Sequence, residues 1–203
     1  HGGFMQTQIP PEARRLNDIA LSGNGEPTSA REFERVIDLI GQVTRDFDLP
    51  RELKLVLITN GSLIDRHNVQ AGLRRMAELN GEVWFKLDSV TRAGRQRINN
   101  TRMSLQRMRE NLRLTASLCP TWLQTCVFQV DGIPPGEAET SAYLEFVAEL
   151  LRENVPLQGV LLYGLARPSM QPEAPRLTKV AQAWMESFGA EIQTLGLTVR
   201  LSP

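Results

Sequence analysis

Short apolar runs alternate with longer stretches at helical spacing along this chain, and few folds accept that order. The runs are Asp18–Ser22, Leu53–Asn60, Val83–Asp88, Trp122–Val130, Val160–Leu165 and Leu197–Leu201. Five helical patterns lie between them. The order is therefore βα repeated five times, closed by a last strand. Repeated βα units predict a parallel sheet with right-handed crossovers. Two architectures satisfy this, a doubly wound open sheet and an open part-barrel. A chain of 203 residues holds one such domain, spanning 1–203.

The first helical pattern is Phe33, Val36, Ile37, Ile40, Val43 and Phe47, one face of a helix. Ser29 and Glu32 read as a capping box before it. The second pattern, Val69 to Leu79, stops at Asn80-Gly81. The third carries Leu105, Met108, Leu112 and Leu118, and Pro120 ends it. The fourth runs from Tyr143 to Leu151. The last runs from Leu177 to Leu195 through an internal Gly189, and ends at Gly196.

Side chains alternate along a strand, so each strand has two faces. In Val83–Ser89 one face is Val83, Phe85 and Leu87; the other is Trp84, Lys86 and Asp88. Gln124 and Gln129 interrupt the run Trp122–Val130. A parallel sheet covered on both sides is apolar on both faces. Polar residues here point to a part-barrel whose interior binds something. The plainer alternative is a buried Lys86–Asp88 ion pair, with the Gln side chains satisfied by backbone. Location favours binding. Ser22, Asn60, Asp88 and Arg167 fall at or just past strand C-terminal ends, where α/β folds bind ligands.

The loop after the first run is Gly23-Asn24-Gly25-Glu26-Pro27-Thr28. Two Gly flanking Asn admit backbone conformations closed to other residues. Main-chain groups in such a turn can bind a polar ligand, and Glu26 can accept from an ammonium. Two Gly without a third are not a dinucleotide fingerprint, and Glu-Pro lacks the Lys-Ser/Thr of a phosphate loop. The bland reading is a strand-to-helix turn with an incidental Glu.

The segment Leu21-Ser22-Gly23-Asn24-Gly25-Glu26-Pro27-Thr28 resembles the Gly-Gly-Glu-Pro segment of radical S-adenosylmethionine (SAM) enzymes. It looks most like the iron–sulfur oxidoreductases related to wybutosine-synthesis enzymes. The likeness continues at Leu57-Ile58-Thr59-Asn60-Gly61-Ser62, Lys86-Leu87-Asp88-Ser89, Arg97-Ile98-Asn99, Leu123-Gln124-Thr125 and Tyr163-Gly164-Leu165-Ala166-Arg167-Pro168. The resemblance implies an open part-barrel of βα units. It also implies a [4Fe–4S] cluster that donates an electron to SAM, giving a 5′-deoxyadenosyl radical that abstracts hydrogen. Gly23, Asn24, Gly25 and Pro27 would then supply backbone to the methionine amino group, and Glu26 would help position it. Thr59, Asn60, Lys86, Asp88 and Arg167 would line the SAM pocket.

One departure matters. The family's cluster motif is Cys-x3-Cys-x2-Cys. This sequence has only Cys119 and Cys126, at a helix end and in a strand, and both read as structural thiols. Two Cys cannot build a three-Cys site. The first run already precedes the Gly-Asn-Gly-Glu-Pro loop, so the first βα unit of the barrel is expected to be missing. The chain thus reads as the C-terminal portion of a longer protein: the SAM side is present, and the cluster is expected only in the full length. The rival readings are a part-barrel binding module that never carried a cluster, and a tRNA-modifying relative. An unpaired first strand predicts either a dimer along that edge or residues Gly3–Pro11 folded back over it.

Charge bears on the tRNA reading. Lys and Arg number 23 and Asp and Glu 23, without the basic excess of a dedicated nucleic-acid binder. The one basic concentration is Arg92, Arg95, Arg97, Arg102, Arg107, Arg109 and Arg113, read as a solvated helix face or a contact for an anionic substrate. His67 reads as a helix-start residue, with no second His or Cys at metal spacing. Two Cys without a disulfide framework fit a reducing, cytoplasmic location. No apolar run reaches membrane-spanning length.

Overall fold

The computed structural model describes residues 3–23, 25–166 and 170–202. The elements in chain order are α1 (Gly3–Gln8), β1 (Asp18–Leu21), α2 (Phe33–Asp46), β2 (Lys54–Thr59), α3 (His67–Glu78), β3 (Gly81–Lys86), α4 (Arg92–Asn99) and α5 (Leu105–Leu118). Then follow β4 (Thr121–Cys126), β5 (Gln129–Val130), α6 (Glu137–Arg152), β6 (Leu157–Tyr163), β7 (Leu177–Thr178), α7 (Gln182–Thr194) and β8 (Val199–Ser202).

Six strands form one sheet in the order β1-β2-β3-β4-β6-β8, and every neighbouring pair is parallel. A doubly wound sheet reverses its order midway; this one runs straight through, as in a part-barrel. Among the described residues no helix is long and apolar enough to cross a membrane.

The register sorts the side chains into two faces. Thr59, Phe85 and Leu123 lie side by side on one face, with Leu57, Val83 and Val160 beside them. These are fully buried in one core with Ile37, Leu73, Leu112, Leu150 and Ile192 from the helices. The opposite, inner face carries Ile58, Trp84, Trp122 and Gly159 in one row and Lys86, Gln124, Leu161 and Arg200 in the next. Lys86 and Arg200 are exposed and Trp84 is half-buried. Helices therefore cover the outer face, and the inner face is left to polar and aromatic residues.

Three local expectations are corrected, and one helix is added. The capping box does not form: Ser29 lies in a 3-10 turn, and Glu32 precedes α2 without a side-chain cap. Pro27 sets that turn and draws Ser29 away from the helix start. The run Trp122–Val130 is two strands, because β5 leaves the sheet to pair antiparallel with β7. That pairing takes Leu177 out of α7, which begins only at Gln182. α4 escaped notice because Ile98 is the lone large apolar residue in Arg92–Asn99. β1 pairs with β2 alone, and residues 3–11 add no strand to its other edge. The N-terminal segment is instead tied to its own turn, with Arg14 donating to the carbonyls of Gln6 and Ile9, both at 2.7 Å.

Gly159 shows how tightly the inner face is built. Its φ is +148°, and a Cβ there would lie 2.3 Å from the Thr198 carbonyl oxygen and 2.7 Å from the Trp122 ring. Trp122 thus occupies the space of the absent side chain, and the Arg200 guanidinium lies 4.2 Å from its ring centroid. Gly159→Ala strains the backbone and displaces the indole together. The expected cost is about 2–4 kcal/mol, read as a lower urea midpoint at unchanged slope. A variant as stable as the parent would show that Trp122 can move freely.

Candidate functional site

The loop after β1 and the loop after β2 meet at one carboxylate. Glu26 Oε1 accepts the hydroxyl protons of Thr28 and Thr59, both at 2.6 Å, and the Thr28 main-chain N–H at 3.3 Å. Its Oε2 accepts the Asn60 N–H at 2.8 Å. Thr28 and Thr59 are completely buried. Buried hydroxyls need partners, and this carboxylate supplies both. The bonding extends outward. The Gly61 N–H donates to Thr59 Oγ1 at 3.0 Å, and the Asn111 amide donates to the Gly61 carbonyl at 2.8 Å. Gly61 has φ +72°, and a Cβ there would overlap the buried Phe85 ring at 2.2 Å.

This changes the reading of Glu26. Its Oε1 is filled by three of the chain's own donors and its Oε2 holds the Asn60 N–H, so it braces the rim. The groups left open are in the loop itself. Among the described residues, the main-chain groups of Gly23 and Gly25 make no hydrogen bond, and no atom lies within 4 Å of a Cβ built at either. Pro27 begins the 3-10 turn that Glu26 caps. Asn24 and Arg167 lie outside the described residues.

Asp88 forms a second centre, past the end of β3. Its Oδ1 accepts the Cys126 N–H at 2.9 Å and its Oδ2 accepts from the Asn99 amide at 2.7 Å. Burial pushes the Asp88 carboxyl above its ordinary range; the Cys126 and Asn99 bonds and the Lys86 charge pull partly the other way. Lys86 itself is exposed and makes no ion pair among the described residues, so the buried Lys86–Asp88 pair does not form. Gln124, opposite Lys86, has a buried Oε1 without a hydrogen-bond partner. Gln129 instead accepts from the Thr178 hydroxyl at 3.0 Å.

Sequence reasoning placed Asp88 but missed what surrounds it. Ser89 and Thr91 donate to Glu139, the former at 2.7 Å. The Thr125 hydroxyl donates to the Leu87 carbonyl at 3.1 Å, so the Tyr143 hydroxyl, 2.8 Å away, donates to Thr125. These groups border a cavity of about 450 Å³ beneath segment 128–136. Glu139 stands 50 positions from Ser89 in sequence, and only the fold brings them together. Ser89-x-Thr91 was the one visible hint, as the start of a capped helix.

The two thiols stand apart. Cys119 precedes β4 and Cys126 ends it, which separates them by roughly 20 Å along an extended strand. Burial pushes both thiols up to about 12, with help from Glu82 at Cys119 and Asp88 at Cys126. Neither is an activated thiol. Among the described residues no group of three or more His, Cys, Asp or Glu is placed to hold a metal ion. The Arg-rich stretch is largely occupied as well. Arg107 pairs with Asp65 at 2.7 Å, Arg109 with Glu149 and Glu153, and Arg113 with Glu153 at 3.3 Å. Arg95 is buried and donates to the Val90 carbonyl. His67 opens α3.

No protein-family model matches the sequence, and no curated protein sequence matches it. Solved structures do. A domain of pyruvate-formate lyase-activating enzyme from Bacteroides vulgatus superposes with a TM-score of 0.62 at 14% identity, over 92% of this chain and 99% of that one. A radical SAM methyltransferase from Sphaerobacter thermophilus gives a TM-score of 0.62 at 18% identity, over 94% of this chain and 52% of that one. At such identities the likeness establishes the fold. The chain has the α/β part-barrel of these structures and spans about half the methyltransferase's length.

Two outcomes follow from the site. Glu26→Ala leaves the buried Thr28 and Thr59 hydroxyls without their acceptor and should cost about 2–4 kcal/mol, seen in chemical denaturation. It should also speed amide exchange at Asn60 and Gly61; unchanged exchange there would remove Glu26 as the brace. The second outcome is a pH dependence. The folded Asp88 carboxyl sits above its ordinary value of 3.8, so the folded chain holds that proton more tightly than the unfolded one. Its contribution therefore opposes folding as pH rises through this window, and is complete above the raised value. Asp88→Asn should gain stability relative to the parent between acid and neutral pH. A gap that stays constant across the series would contradict this.

Proposed function

We propose that this chain is the SAM-binding side of a radical SAM iron–sulfur oxidoreductase. The observation that carries the reading is the Gly23–Thr28 loop. It stands at the C-terminal rim of a part-barrel that superposes on a radical SAM methyltransferase, and its glycine backbone groups make no hydrogen bond among the described residues. Ligands of parallel α/β folds bind at that rim. The orphaned Gln124 Oε1 on the inner face also fits a bound molecule that donates a hydrogen bond there.

In this reading the carbonyls of Gly23 and Gly25, with Asn24 between them, accept from the SAM ammonium. Glu26 and Pro27 hold the loop in shape, and Glu26 does so by fastening it to Thr59 and Asn60. Lys86 and Asp88 stand along the same rim, and Arg167 completes the set. Bound SAM supplies a sulfonium whose reductive cleavage yields a carbon radical. The residues of this chain do not fit the [4Fe–4S] cluster that would reduce it, because it has only two Cys, Cys119 and Cys126, and they stand at opposite ends of β4. The cluster ligands are therefore assigned to residues outside this sequence.

Calorimetric titration with SAM tests the reading. Saturable binding is expected, and an analogue lacking the α-amino group should bind at least about tenfold more weakly. Gly25→Val, at a position where a side chain meets no neighbour, should keep the fold and lose the preference for the amine. No saturable binding of SAM, or equal binding of the deaminated analogue, would overturn it.

A further inference from the structure

The cavity beside Asp88 is a different place from the Gly23–Thr28 rim. It lies between the ends of β3 and β4, segment 128–136 and the start of α6, and neither that loop nor Thr59 or Asn60 lines it. Its volume of about 450 Å³ falls in the range of small-molecule sites.

Its walls are mainly apolar. Ile98, Val127, Phe128, Ile133, Pro135 and Phe188 supply them. Ile133 is 69% exposed. Pro134 and Pro135 follow it and fix the backbone of that wall. A large apolar side chain is thus held on the cavity rim, turned away from the core.

The polar part of the lining has a definite sign. Each oxygen of Asp88 accepts one hydrogen bond, from Cys126 and from Asn99. Each oxygen of Glu139 likewise accepts one, from Ser89 and from Thr91. A carboxylate can accept about four, so both retain acceptor capacity. The nearby hydroxyl protons are committed within the chain: Ser89 and Thr91 to Glu139, Tyr143 to Thr125. At the rim, the Arg176 guanidinium is held by Asp131 at 2.6 Å. The exposed Arg97 guanidinium also lines the cavity, but the two carboxylates outnumber it, and the open positions on Asp88 and Glu139 are acceptors. A guest that supplies donors and positive charge fills them.

We propose that this cavity binds a small molecule in which an apolar body carries a protonated amine, with the amine on Asp88. The body lies along Ile98, Phe128 and Ile133, and the ammonium takes the open acceptor positions of the carboxylate. Burial already disfavours the Asp88 charge, so a cation beside it acts where screening by water is weak. Charge-assisted hydrogen bonds in such a setting are about twice as strong as neutral ones. The glycine loop contributes nothing to the cavity, and the proposal shares only Asp88 with the SAM reading.

The probe is phenethylamine, with phenethyl alcohol as its neutral counterpart, titrated into the uniformly nitrogen-15-labelled chain. Saturable shifts are expected at the amides of Ser89, Cys126 and Gly136, with the amine binding at least about tenfold tighter than the alcohol. Asp88→Asn keeps an acceptor for the Cys126 N–H and should abolish that preference, leaving the two probes equal. Ile133→Ser, at an exposed position, should weaken both probes alike and leave the spectrum of the free chain otherwise intact. Equal affinities in the parent chain, shifts centred elsewhere, no saturable shift with either probe, or a preference that survives Asp88→Asn would each overturn the proposal. SAM binding measured on the parent chain and on Ile133→Ser fails or succeeds separately.

Discussion

The rim of this barrel depends on the carboxylate of Glu26. Two loops leave adjacent parallel strands at the same end, and parallel pairing provides nothing to join them beyond the last ladder bond. Glu26 bridges them by taking hydroxyls and N–H groups from both sides. The arrangement is economical because Thr28 and Thr59 are buried and would otherwise carry unsatisfied hydroxyls. Once Thr59 is fixed, its hydroxyl oxygen holds the Gly61 N–H, and Gly61 can press against Phe85. A surface loop, a buried strand end and a core aromatic ring are thereby set by one side chain. A motif that looks like a ligand contact in sequence works first as a fastening.

The second constraint is the one-sided covering of the sheet. Helices bury Leu57, Phe85, Leu123 and Leu162 completely on the outside. The inner face must then be stable without that cover. It manages by pairing aromatic bulk with polar tips. Trp84 donates its indole N–H to Glu82 at 2.8 Å, and Arg200 lies over Trp122. Gly159 supplies the room for that indole. Such a face can meet water or a ligand, which explains why Lys86, Gln124 and Arg200 interrupt strands that would otherwise be uniformly apolar.

Much of this was legible in the sequence, and the parts that were not share a physical cause. Strand–helix alternation is a local pattern, so the parallel sheet could be read directly, and the polar strand positions favoured the part-barrel order over the doubly wound one. The two-face reading of Val83–Ser89 also held, with Val83, Phe85 and Leu87 in the core. The strand-end positions of Asn60 and Asp88 followed from the same alternation. What escaped were features decided by long-range contacts. β5 and β7 are two residues each and exist because Val130 meets Leu177 across the fold. α4 has a polar sequence and is held by its Thr91 cap, which donates in turn to Glu139. The brace role of Glu26 depends on Thr59, 33 positions away. Composition and spacing carry no record of such partners.

Asp88 stands where the two grounds of the rim adjoin, and its surroundings explain why it is held as it is. A carboxylate at a strand end usually faces water. Here one oxygen is spent on the Cys126 amide, past the end of the β3–β4 ladder, and the other on the last residue of α4. The side chain thus links β3, β4 and α4 at the cost of partial desolvation. That cost is tolerable because neutral donors offset part of it and Lys86 adds a screened attraction. The same desolvation spreads to its neighbours. Burial is the main cause raising the Cys126 thiol and the Tyr163 hydroxyl, and the Asp88 charge adds to both. Cys126 and Tyr163 therefore keep their protons and add no negative charge beside its carboxylate. A cationic guest arriving there meets a charge that the chain has oriented but not neutralised.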